Sequence, residues 1–205
     1  MIVKRGVLGT KFAWPGVYFR TSFTGKTLNL DLNDPANIFN LTIDNQPPIR
    51  IVRPNGSPLT YKLKTDGPHT VRLEKITESQ SGHGAFGGFF VKGKHIPSGV
   101  KPRMIEFIGD SFTVGYGNTS PKRECTTEEV WATTDTSHAF GPLTAKHYNA
   151  DYQINAFSGR GVVRNYDGFA GDTLPGLYPY ALFDGKTVSP GKGWWQPQII
   201  VIGLG

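Results

Sequence analysis

Ser111 closes the tripeptide Gly109-Asp110-Ser111, directly after the nearly continuous apolar run Met104-Ile105-Glu106-Phe107-Ile108. A run of that kind reads as a short buried strand. Gly109 lets the chain leave it tightly, so Ser111 is expected at the strand's carboxyl end, where a ligand can reach it. A hydroxyl presented between strand and helix can act as a nucleophile in acyl transfer, although the Gly-x-Ser-x-Gly elbow is absent. Gly-Asp-Ser alone is a weak signal, because a turn serine that caps a helix has the same letters. The strand before it, and Thr113, Gly115 and Gly117 after it, favour the nucleophile.

Two further apolar runs end in the same way. Residues 152–157 lead into Ser158-Gly159, and residues 198–202 lead into Gly203-Leu204-Gly205. Between the first two runs the spacing predicts a helix over 136–148, capped by Asp135 or Thr136, with Ala139, Leu143, Ala145 and Tyr148 as its apolar face. Strands separated by crossovers, each ending in a Gly loop, argue for an α/β parallel sheet. Ligands of such sheets sit at the strands' carboxyl ends. The first hundred residues read differently. Runs at 17–23, 27–32, 38–43, 59–63, 70–76 and 85–91 alternate with turn signals such as Asn33-Asp34-Pro35, Pro54-Asn55-Gly56 and Asp66-Gly67-Pro68. That grammar predicts a β-sandwich, of jelly-roll type. Ile96-Pro97-Ser98-Gly99 reads as a linker, which divides the chain into a β-sandwich over 1–96 and an α/β domain over 97–205.

The segment Ile-Gly-Asp-Ser-Phe-Thr-Val-Gly-Tyr-Gly, 108–117, resembles the first signature block of the SGNH (GDSL-type) hydrolases. Asn155-Ala156-Phe157-Ser158-Gly159-Arg160-Gly161 resembles their second block. The sandwich in front carries Phe12-Ala13-Trp14-Pro15-Gly16-Val17 and His69-Thr70-Val71-Arg72-Leu73, and with the two blocks it is similar to the two-domain acetyl esterases of carbohydrate esterase family two. The resemblance implies a three-layer, flavodoxin-like SGNH domain behind the sandwich. It implies that Ser111 is the nucleophile, and that the N–H groups of Ser111 and Gly159 bind the oxyanion, with Gly161 as runner-up to Gly159. Glycine permits the close backbone approach that such a donor needs. The implied activity is removal of O-acetyl groups from xylan or related polysaccharides, outside the cell or in the periplasm, without a cofactor. Arg160 and Tyr166 would line the cleft as substrate contacts. A non-catalytic carbohydrate-binding protein, or a lipase or thioesterase of the same superfamily, are the alternatives.

A serine esterase needs a general base. The family pattern supplies a His near the carboxyl end and a third block whose Asn completes the oxyanion hole. Val201-Ile202-Gly203-Leu204-Gly205 stands where that block would begin, so the chain is expected to be truncated and to have at most trace activity alone. A sheet cut there is expected to carry an unprotected edge and an uncovered apolar face. Asp135-Thr136-Ser137-His138 spells Asp-x-x-His, but it lies between the first two blocks and reads as a helix cap with a surface His.

The 205 residues are 38% hydrophobic and 12% aromatic, enough for a packed core rather than a disordered chain. The net charge of +6 is scattered, which reads as a basic solvated surface and not as a nucleic-acid footprint. No apolar run approaches the ~20 residues of a membrane span, and Met1 to Gly6 do not begin a secretory leader, so either an intracellular protein or an incomplete start is expected. The single Cys125 excludes an internal disulfide, and no metal-binding constellation is present. Trp194 and Trp195 read as a packed loop in preference to a sugar platform. Asn40-Leu41-Thr42, Asn55-Gly56-Ser57 and Asn118-Thr119-Ser120 match the glycosylation pattern.

Overall fold

Thr-Leu-Asn-Leu-Asp-Leu-Asn at 27–33 has the two-residue period of a strand with one buried face. The computed structural model of the chain describes residues 4–6, 9–189, 193 and 195–204. Its first half is built from β1 (Lys4–Gly6), β2 (Gly9–Phe12), β3 (Tyr18–Thr24), β4 (Thr27–Asn33), β5 (Ile38–Ile43), β6 (Ile49–Val52), β7 (Leu59–Lys62), β8 (Pro68–Lys75), β9 (Gly84–Val91) and β10 (Lys94–Ile96). They form two antiparallel five-stranded sheets, ordered β1-β2-β9-β4-β7 and β10-β3-β8-β5-β6. Leu28, Leu30 and Leu32 point inward from β4 and meet Phe12, Phe23, Phe39, Leu41 and Leu73 in a core closed to solvent. Phe12 stands edge-on to Phe39 with ring centres 5.9 Å apart, a favoured aromatic geometry.

The second half holds three parallel strands, β11 (Arg103–Gly109), β12 (Ala150–Ala156) and β13 (Ile199–Gly203), in the order β12-β11-β13. Helices α1 (Ser111–Val114), α2 (Thr127–Thr133), α3 (Phe140–His147) and α4 (Leu174–Leu177) accompany them. The helix expected over 136–148 is two pieces. A 3-10 turn at Thr136–His138 is followed by extended Ala139 and then α3. A continuous helix would have placed Pro142 in its interior, without the N–H it needs there. Breaking at Ala139 moves Pro142 into the first turn, where no intrahelical donor is required. The expected apolar face fails with it: Ala139 and Ala145 are buried, but Leu143 and Tyr148 are 48% and 55% exposed. Helix α2 escaped the sequence reading although its start is marked. Thr126 Oγ1 accepts from Glu129 N and the Glu129 carboxylate accepts from Thr126 N, a reciprocal capping box.

The outer face of the second sandwich sheet is covered by the α/β half. From β3, Tyr18 Oη donates to Asp151 Oδ1 at 2.6 Å and Arg20 reaches Asp151 Oδ2 at 3.0 Å. From β8, Arg72 donates to Tyr152 Oη at 2.7 Å and pairs with Glu74, while its guanidinium lies 3.6 Å from the Tyr18 ring centre. Tyr152 Oη also donates to Glu74. Asn40 of β5 is buried here and donates to Asp135, so its glycosylation pattern faces the interior. Trp14 adds the deepest tie, donating from Nε1 to the carbonyl of Tyr180 at 2.8 Å. Residues 97–102 connect β10 to β11, but the two halves are fastened by buried, mutually satisfied polar groups.

Candidate active site

The central strand β11 delivers Ser111. A Cβ on Gly109 would overlap the Thr113 hydroxyl and lie 2.9 Å from the Gly203 carbonyl, so only glycine fits the strand exit. Asp110 then caps α1, its Oδ1 accepting from Phe112 N at 3.0 Å. Ser111 is the first helical residue. Its carbonyl accepts from Gly115 N and Tyr116 N, both at 3.0 Å, and its own N–H is one of those that a helix start leaves unused.

The neighbouring strand β12 delivers the second loop. Phe157 N donates to the Gly109 carbonyl at 3.0 Å, which carries the pairing one residue beyond the strand. Gly159 then turns with φ of +79°, the left-handed region that favours glycine. The loop closes on itself through Tyr166 N to the Gly159 carbonyl at 2.9 Å. Buried Asn165 organises the rest: its Nδ2 donates to Gly171 O at 3.1 Å, and its Oδ1 accepts from Gly161 N at 3.4 Å. The Gly161 N–H is therefore committed to a side chain. Among the described residues, no hydrogen bond occupies the N–H of Gly159 or Ser111. Beneath the loops, Glu106 of β11 accepts from Asn155 Nδ2 at 2.5 Å and from Tyr178 Oη at 2.7 Å. Burial, aided by the Glu106 charge, pushes the Tyr178 hydroxyl up to about 12, which keeps it a donor at ordinary pH.

The two loops wall a cleft of roughly 860 Å³ that contains Ser111, Gly159, Arg160 and Tyr166 together. Tyr166 stands 78% exposed at its rim. Arg160 lines the cleft, but it braces the loop by donating from Nη1 to the Asp172 carbonyl at 2.7 Å. The sequence reading missed Arg164 and Asp167 on the second loop, and Gln80, which reaches the cleft from the sandwich. Arg164 and Asp167 follow the second block closely enough to have been suspected. Gln80 carried no signal, since 31 residues separate it from Ser111. No His lines the cleft among the described residues. His138 sits 60% exposed with Nδ1 at 2.9 Å from Asp135, which caps the 3-10 turn. No group of three or more His, Cys, Asp or Glu among the described residues is placed to hold a metal ion. Trp194 lies outside the described residues, and Trp195 is half-buried.

Known proteins resemble this chain along nearly its whole length. A family profile described as Carbohydrate esterase 2 N-terminal matches residues 5–98. An acetylxylan esterase / glucomannan deacetylase of Cellvibrio japonicus is 51% identical over 197 residues, covering 95% of this chain and 54% of its own length. A solved carbohydrate esterase, described as having an active site with divergent catalytic and non-catalytic binding functions, superimposes with a TM-score of 0.89 at 47% identity. That match covers 100% of this chain and 61% of the other. A family two carbohydrate esterase from Clostridium thermocellum, solved in complex with cellohexaose, gives 0.83 at 32% identity, over 100% of this chain and 63% of the other. The chain thus spans about half the length of the curated relative and under two thirds of the solved ones.

Proposed function

The chain belongs to carbohydrate esterase family 2, and from that premise we propose that it carries the nucleophile and the first two oxyanion donors of a serine esterase that deacetylates polysaccharide. Ser111 Oγ attacks the acetyl carbonyl. The negative charge that develops on the carbonyl oxygen is met by the N–H groups of Ser111 and Gly159, fixed before the substrate arrives. The sugar alcohol leaves, and water then hydrolyses the acetyl-Ser111 ester. The observation that carries this reading is the pairing of two uncommitted N–H groups with a serine hydroxyl in one cleft at the strand ends. It also favours Gly159 over Gly161, whose N–H is engaged by Asn165.

The reaction needs a base for the Ser111 proton. With no His in the cleft among the described residues, we assign the base and a third oxyanion donor to residues outside this chain, as the family pattern implies. A jelly-roll sandwich followed by part of an SGNH-type α/β domain is the architecture this reading carries with it. A carbohydrate ligand is supported by the relative solved with cellohexaose. A polymeric substrate of this kind puts the work outside the cell or in the periplasm.

The test is Ser111→Ala in the full-length protein, with acetate release from acetylated xylan as readout. Loss of roughly 10³-fold or more in kcat, with oligosaccharide binding retained, is expected. Undiminished release would remove Ser111 from the mechanism.

A further inference from the structure

The sandwich sends one described residue into the cleft, Gln80. It sits in a 3-10 turn, Ser79–Ser81, on the loop that follows β8. The base of that loop is pinned from several sides. Lys75, fully buried, donates from Nζ to the carbonyls of Ala13 at 2.6 Å and Glu78 at 2.8 Å. Thr77 Oγ1 donates to Asn37 Oδ1 at 2.7 Å. Thr136, from the α/β half, donates its N–H to the Ile76 carbonyl at 3.0 Å. The loop is thus held by both halves of the molecule while its tip stands at the cleft wall.

The Gln80 side chain is itself oriented. Its Nε2 donates to Glu78 Oε2 at 2.8 Å. An ionised carboxylate can only accept, so it selects the amide nitrogen and turns the carbonyl oxygen of Gln80 away from itself. Glu78 is 7% exposed. Burial pushes its carboxyl up, while the Ser158 hydroxyl, Gln80 and the Lys75 charge draw it back down. What Gln80 offers the cleft is one carbonyl acceptor and one remaining N–H donor, side by side on a planar amide. Neighbouring hydroxyls of a sugar ring present the complementary pair, a donor and an acceptor a few ångströms apart.

We propose that Gln80 is a sugar-recognition residue supplied by the β-sandwich, and that Glu78 is the positioning residue that fixes the orientation of its amide. The proposal rests on the reading of the cleft as a carbohydrate ester site, and it names the group that reads the sugar rather than the acetyl. Orientation fixed in advance lowers the ordering cost of binding.

The test is titration calorimetry of the full-length protein, carrying Ser111→Ala so that the ligand is not turned over, with partly acetylated xylohexaose. Gln80→Ala is expected to raise Kd about three- to ten-fold, the loss of a neutral hydrogen bond or two. Glu78→Gln lets the Gln80 amide flip and is expected to raise Kd about two- to four-fold. Should Glu78→Gln fail to fold, Gln80→Ala remains decisive, because Gln80 is exposed and its truncation leaves the melting temperature within a few degrees. A Kd for folded Gln80→Ala within two-fold of the parent overturns the proposal, and so does a parent chain with no measurable binding at millimolar sugar. Failure of the esterase reading is seen separately, as acetate release that survives Ser111→Ala while the Gln80 effect on binding persists.

Discussion

The sandwich and the parallel sheet solve opposite problems with the same strands. In the sandwich, two sheets close over Phe12, Trp14, Phe39 and Leu41, none of them exposed. In the parallel sheet, the loops at the strand ends leave the N–H groups of Ser111 and Gly159 uncommitted among the described residues. Stability resides where every group has a partner. Chemistry resides where groups are held without one, because a donor already paired cannot receive an oxyanion. From the sandwich, Arg20 and Arg72, the latter paired with Glu74, hold β12, the strand that leads to Gly159.

That contrast can be broken by experiment. The largest expected effect is on the sandwich: Phe39→Ala removes a fully buried ring and should cost about 3–5 kcal/mol in urea unfolding. A loss below ~1 kcal/mol would mean that this core is not what stabilises the molecule. Next comes Gly159→Ala. Its φ of +79° and a Cβ only 3.1 Å from the Phe169 ring impose strain of about 1–2 kcal/mol. In the full-length protein, displacement of the donor should lower kcat about 10²- to 10³-fold. A Gly159→Ala protein with full kcat would show that this N–H is not a donor to the transition state.

A third measurement concerns the base of the loop that carries Gln80. Burial lowers the Lys75 ammonium from 10.5 to about 7 in the folded chain, against the opposing charges of Asp34 and Glu78. Between pH 7 and 10.5 the unfolded chain therefore holds a proton that the folded chain has released, and stability rises with pH across that window. The parent should gain about 2 kcal/mol from pH 7 to pH 9 relative to Lys75→Met. Parallel curves for the two proteins would refute the assignment. The smallest effect sharpens the comparison from the other side. In the 205-residue chain, Ile202→Ala on the exposed edge should change stability by less than ~0.5 kcal/mol in urea unfolding, and a core-sized loss would show that β13 is packed in solution.

Several features were legible because they are local. Residues 38–43 were read as a strand with the bounds β5 has, and the apolar run before Gly109 was read as the strand that presents Ser111. The capping box at Thr126 and Glu129 was equally local and went unread. The break at Ala139 was signalled by Pro142, but the apolar spacing of 139–148 concealed it, since spacing does not reveal which turn bears the proline. Polar residues alternate with apolar ones along β3 and β8, the pattern of a solvated face. Arg20, Arg72 and Glu74 instead meet β12 and its flanks, and no period in a sequence distinguishes a wet face from one covered by distant chain.

The strand–turn units, the glycines at their exits and the serine between them follow from local sequence, because backbone sterics and two-residue alternation act over a handful of neighbours. Tertiary structure alone decided that Gly161 is tied to Asn165 while Gly159 is not, and that a loop of the sandwich sets Gln80 against the cleft of Ser111. Those outcomes depend on which groups find partners once the two halves close on each other, and hydrogen bonding across that seam joins residues as far apart as Trp14 and Tyr180.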